Sequence, residues 1–171
     1  VMSTADDAAA LLLRTTQQHH VQLSVMADTK ANILITVSSI ILTMVLGQMD
    51  NPDLRAAMLT LGAFIFAALL LAVVAVLPKY RPLRLRAGEP LPPHFNLLFF
   101  GHFSELPRDR FLLAVAEQLR ADGSVYETMA RDVYAMGYYL AHYKYRFLRL
   151  SYIFFLGGFV FAALVEAVHI L

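Results

Sequence analysis

Four groups of residues have types and spacings that bear on chemistry. Glu166 and His169 lie three apart near the carboxyl end, a spacing that shares a helix face and would suit a metal ion or a proton relay. A lone pair near a helix end equally suits the membrane interface. His19 and His20 are adjacent, and adjacent residues do not face one another on a helix, so they make a poor two-ligand metal site. No histidine is followed by aspartate, and G-x-S-x-G, H-E-x-x-H and G-x-x-x-x-G-K are all missing. Phosphohydrolase, nucleophile-elbow, zinc-protease and P-loop chemistry therefore have no foothold. There is no cysteine to act as nucleophile or thiolate ligand. The expectation is a protein without catalytic residues, metal or cofactor.

The third group is a stripe. Asn32, Thr36, Ser39, Thr43 and Gly47 recur at intervals of four, three, four and four along an otherwise apolar segment, which aligns them on one side of a helix. Such a stripe faces something other than lipid. Close packing inside a helix bundle is one reading, because hydroxyls bond to neighbours and small residues permit approach. A wetted lumen is the other, and several copies would have to line it, since three helices cannot enclose a conducting path. The fourth group is charge with interleaved aromatics: Arg81, Arg84 and Arg86, then Tyr138, Tyr139, Tyr143, Lys144, Tyr145, Arg146 and Arg149. Cations at helix ends serve as topology signals and headgroup contacts. The same set would make an anion site in which arginine or lysine binds phosphate and a tyrosine ring stacks on a base.

These groups need elements to hold them. Of 171 residues 58% are hydrophobic and the mean hydropathy is +0.58, more apolar than a soluble domain of this size can bury, so bilayer is the natural solvent. A net charge of +1 supplies no global field to attract nucleic acid, which is not expected as a partner. Ala31–Met49, Met58–Leu77 and Ser151–Leu171 each have the roughly 20 apolar residues that a hydrocarbon core demands. Residues 1–30 do not read as a signal peptide, since Leu11-Leu12-Leu13 is too short for its apolar core. The linker Asp50-Asn51-Pro52-Asp53-Leu54-Arg55 holds a turn signal and few cations, so the first two spans pair as a hairpin. Four cations in the nine residues Pro78–Arg86 put that end of the second span in the cytoplasm by the positive-inside rule. Lys144, Arg146 and Arg149 before the third span agree. The N-terminus is then cytoplasmic and the C-terminus outside.

Between the spans, prolines at 78, 82, 90, 92 and 93 forbid a long helix. A helix is predicted from Pro107 to Arg120 and another from Ser124, where Glu127 completes a capping-box pattern. Val125, Met129, Val133, Met136, Leu140, Tyr143, Phe147 and Leu150 form an apolar seam that predicts an unbroken run into the third span. Leu12, His19, Leu23, Met26 and Ile33 form a comparable seam leading into the first. The fold class is an all-α membrane protein of three transmembrane helices with a cytoplasmic helical stalk or bundle. Residues 1–30 are its cytoplasmic N-terminal helix, 31–77 a transmembrane hairpin (31–49 and 58–77), 78–150 a cytoplasmic helical region, and 151–171 the third span.

Three stretches carry a family likeness: Asp28-Thr29-Lys30-Ala31-Asn32-Ile33-Leu34, Asn96-Leu97-Leu98-Phe99-Phe100-Gly101-His102-Phe103, and Tyr143-Lys144-Tyr145-Arg146-Phe147-Leu148-Arg149. In order, spacing and membrane layout they resemble the transmembrane effector family of Pycsar anti-phage defence. The resemblance implies an effector in the bacterial inner membrane that answers cyclic UMP or cyclic CMP made by a partner pyrimidine cyclase. It further implies a homo-oligomer that acts on membrane lipid and kills the infected cell before phage can spread. An anionic nucleotide would need cytoplasmic donors, which directs attention to Arg81, Arg84, Arg86, Lys144, Tyr145 and Arg149, with Lys30 and His102 beside them in the implied fold. The alternative is a membrane scaffold or sensor subunit that docks a soluble partner and does no damage.

Overall fold

The computed structural model describes residues 4–78, 89–92, 95–120 and 124–170. The elements are α1 (Thr4–Gly47), α2 (Arg55–Val76), the short α3 (Phe100–Phe103), α4 (Arg108–Arg120), α5 (Ser124–Tyr139), a π-helical turn (Leu140–Lys144) and α6 (Tyr145–Ile170). No strand occurs among the described residues. Among the described residues three helical stretches, Asp7–Gly47, Arg55–Val76 and Val125–His169, are long and apolar enough to cross a membrane. The chain divides into two compact units. One comprises Val1–Gln22 and Pro78–Tyr139, the other Leu23–Leu77 and Leu140–Leu171.

The second unit holds the three apolar helical segments, and small residues set its packing. Ala68, Ala72 and Ala75 of α2 are buried and face α6, where the Ser151 hydroxyl donates to the Ala68 carbonyl at 2.6 Å. A Cβ placed on Gly158 would lie 2.9 Å from Phe64 Cβ, so only glycine permits the approach of α6 to α2 at this point. The Phe64 ring completes the contact against Phe161 and Phe154, with centroids 5.1 and 5.9 Å apart. Lipid offers no hydrophobic drive between helices, so close backbone approach and van der Waals contact take its place. Between α1 and α2 the Asn51 side chain accepts from the Asp53 amide at 3.1 Å, the local turn that the linker composition predicts.

The buried line on α1 within this unit is Ala27, Ala31, Leu34, Ser38 and Val45. Ala27 and Ala31 meet Ala75 and Leu148 in its core, with Val76, Tyr145 and Phe147 packed around them. This corrects the predicted seam: Leu12, Leu23, Met26 and Ile33 are exposed by 41 to 67%, and His19 is exposed as well. The physical reason is that apolar residues are dense along α1, and small residues such as Ala27, Ala31 and Ser38 take much of the helix contact while many large side chains turn outward.

A second correction concerns the helix leading into the last span. The helical run is unbroken, as predicted, from α5 through the π turn into α6, but the turn absorbs one extra residue and shifts the face that follows it. From the last residue of the turn the buried line continues through Lys144, Leu148 and Ser151, each one residue later than the Tyr143, Phe147 and Leu150 of the predicted seam, and Tyr143 is exposed.

The first unit contains the N-terminal half of α1 with α3, α4 and α5. Gln17 and His20 of α1 face α5. The Gln17 amide donates to Asp132 Oδ2 at 2.7 Å, and the His20 ring lies so close to Gly137 that a Cβ there would sit 3.1 Å from it. The helix expected from Pro107 to Arg120 runs Arg108–Arg120, and the one expected at Ser124 begins there.

Candidate functional site

Lys144 is the most constrained of the cations singled out by the sequence. Its side chain is 9% exposed, and its ammonium donates to Ser24 Oγ and to Asp28 Oδ2, both at 2.7 Å. The next residue, Tyr145, donates its hydroxyl to the Leu23 carbonyl at 3.1 Å. Three hydrogen bonds thereby join Lys144 and Tyr145 to Leu23, Ser24 and Asp28 of α1 inside the second unit, one of them reaching the Asp28-Thr29-Lys30 motif. A buried ammonium with three donors is stable only when its acceptors are in place. Asp28 is the charged one, and its own side chain is 41% exposed. Lys30 and Arg149, of the same unit, are exposed. Arg81, Arg84 and Arg86 lie outside the described residues.

His102 belongs to the first unit, where it serves the loop before α4. Its Nδ1 accepts from the Asn96 amide at 2.9 Å, and its ring stands edge-on to Phe99 and tilted against Phe95, with centroids at 5.2 and 5.6 Å. The Asn96 carboxamide accepts from the Leu98 amide at 2.9 Å and donates to Asp132 Oδ1 at 2.8 Å. Asp132 is buried, 9% exposed, and its two oxygens are shared between Asn96 and Gln17. Sequence reasoning missed Asp132, Asn96 and Gln17 as a network. No local signal marks them, since Asp132 neighbours Val133 without belonging to the predicted seam.

The stripe on α1 lies on the outside of the second unit: Asn32, Thr36, Ser39 and Thr43 are all exposed. Each hydroxyl donates to the backbone one turn back, Thr36 to Asn32 at 3.0 Å, Ser39 to Ile35 at 2.8 Å and Thr43 to Ser39 at 3.0 Å. Such bonds let hydroxyl residues face an apolar medium without an unmet donor. A shallow concavity of about 370 Å³ indents the same face between Thr29 and Val37. The packing reading of the stripe thus finds no partner helix within the unit, whose buried line runs through Ser38 instead. Glu166 is half-buried and His169 exposed, and no cluster of three or more potential metal ligands occurs among the described residues.

Three membrane-length helices, small-residue packing between them, a buried lysine paired with an aspartate and no strand among the described residues make this an all-helical multi-pass membrane protein. It belongs to the Pycsar effector family: a model of the Pycsar effector protein domain matches residues 11–169, nearly the whole chain. That family ties it to anti-phage defence at a membrane and to a cyclic nucleotide signalling system. No curated protein and no solved structure matches it.

Proposed function

We propose that this chain is the killing component of its defence system, an inner-membrane effector that impairs the membrane when cyclic UMP or cyclic CMP accumulates. A pyrimidine cyclase makes the messenger, the effector acts as a homo-oligomer, and the outcome is abortive infection. It performs no catalysis of its own. The observation that carries this reading is the family match over residues 11–169 in a chain whose apolar helices account for most of its length. The exposed stripe on α1 supports it further, because a polar line turned away from its own three-helix unit suits contact between copies or a wetted path among them.

The test is to express the chain in bacteria with an active pyrimidine cyclase or with its inactivated form, and to follow membrane potential and dye uptake. Loss of potential only with the active cyclase is the expected result. Damage that is equal with both, or absent with both at matched expression, overturns the proposal.

A further inference from the structure

We infer that the cavity in the first unit, between the loop around Phe95, α4 and α5, is the site where the messenger binds, and that it selects a singly charged mononucleotide. The inference rests on the nucleotide-responsive reading above and adds to it a location and a selection rule.

The cavity measures about 280 Å³, and Phe95, Leu97, Glu117, Gln118, Thr128 and Arg131 are among its lining residues. Small-molecule sites run from about 300 Å³ upward, so this volume stands at the small end of that range and suits a mononucleotide better than a dinucleotide. One wall is held in place before any ligand arrives. Asn96 is fixed by Asp132, by the Leu98 amide and, through its own backbone, by His102, which pins Phe95 and Leu97 on either side of it. The motif Asn96–Phe103 thus acquires a purpose, since its aromatic and amide contacts hold a binding wall rigid.

The chemistry of the lining fits the parts of a nucleotide. Phe95 and Leu97 offer an apolar surface on which a base can lie. Gln118 and Thr128, joined by a hydrogen bond of 3.1 Å, place a carboxamide and a hydroxyl side by side, groups that pair with the polar edge of a pyrimidine. Arg131 is 60% exposed and gives one amino group to Glu127 at 2.5 Å; a guanidinium carries five donors, leaving others for a phosphate. Glu117 puts a second carboxylate at the same cavity. One guanidinium beside Glu117 and Glu127 leaves no surplus of positive charge, so the multiple charges of a nucleoside monophosphate or triphosphate are disfavoured more than the single charge of a cyclic phosphodiester.

Equilibrium binding of labelled cyclic UMP and cyclic CMP to the full chain in lipid nanodiscs tests this, with ultraviolet cross-linking of the bound nucleotide to the parent protein as a second measurement. The expected result is that Arg131→Ala weakens binding about 10- to 100-fold, the range of a charge-assisted hydrogen bond, that Arg131→Lys recovers part of it, that UTP competes poorly, and that cross-links fall on Phe95, Leu97, Glu117 or Gln118. Arg131 is exposed, so its replacement leaves the fold intact; should the variant misfold, the cross-links on the parent decide. If the parent binds but Arg131→Ala and Gln118→Leu bind equally well, or if Lys30→Ala and Arg149→Ala carry the loss, the location is wrong while the nucleotide-responsive reading stands. If the parent binds neither cyclic nucleotide, both fall.

Discussion

At the scale of single residues, the Lys144–Asp28 pair is asymmetric, and the asymmetry has a measurable result. The ammonium is nearly enclosed while the carboxylate side chain is 41% open to its surroundings. Neutralising the anion leaves a buried cation without its countercharge, facing only the neutral Ser24 hydroxyl and a carboxamide oxygen among its described acceptors, whereas removing the cation leaves a carboxylate that water can reach. Asp28→Asn should therefore destabilise the protein by about 3 kcal/mol, and Lys144→Met by about 1 kcal/mol. The double variant should resemble Lys144→Met, since the stranded charge is gone. Thermal unfolding in detergent measures all three, and an Asp28→Asn no worse than Lys144→Met would show that the buried charge is not what the pair stabilises. Lys144 and Tyr145 were legible in the sequence as charge and aromaticity near a span. Their acceptors were not, because 116 to 122 residues separate the partners and nothing local marks a distant acceptor. Asp132 was illegible for the same reason: a lone aspartate on a helix reads as solvated until its two amide donors are brought to it.

At the scale of elements, helix packing within the second unit depends on a few positions without side chains. Gly158 allows no Cβ, so Gly158→Val should force α2 and α6 apart at a cost of about 2 kcal/mol, typical of overpacking. Gly47 has nothing within 4 Å of the corresponding point, and Gly47→Ala should leave stability within about 0.5 kcal/mol of the parent. Equal effects of the two on unfolding in detergent would contradict this account of the α2–α6 contact. The sequence reveals such elements by length: about 20 apolar residues predict a span, and turn residues, prolines and cations predict where it stops. Facing is less visible. In a segment where most residues are apolar, periodicity does not separate the contact side from the lipid side, and the side-chain size that does separate them has Ala27 and Ala31 inside with Met26 and Ile33 outside. The π turn escaped for a related reason, as the heptad through Val125–Leu150 is equally well formed with or without the extra residue at Leu140–Lys144.

At the scale of the whole molecule, the cations bear on orientation and the exposed stripe on assembly. The cations of residues 79–86 predict that a reporter inserted near Glu89 reads cytoplasmic and one joined after Leu171 reads periplasmic; a cytoplasmic reading at Leu171 would remove one crossing from the topology. The stripe on α1 leads to the last prediction. Thr36, Ser39 and Thr43 are exposed and bond only to their own helix, so replacing all three with leucine disturbs no described contact inside the unit and improves its match to lipid. The triple variant should insert and unfold like the parent, with stability changed by less than about 0.5 kcal/mol per site, and yet lose membrane damage in cells that make the messenger. Two mechanisms then part on the size of the particle in detergent. If the stripe lines a wetted path, leucine narrows and dries it while the oligomer stays whole. If the stripe is the seam between copies, bulkier side chains hold backbones apart and the oligomer dissociates. An intact oligomer that leaks dye as the parent does would show that the stripe takes no part in the activity, and a monomeric variant that still leaks would rule out assembly as its basis.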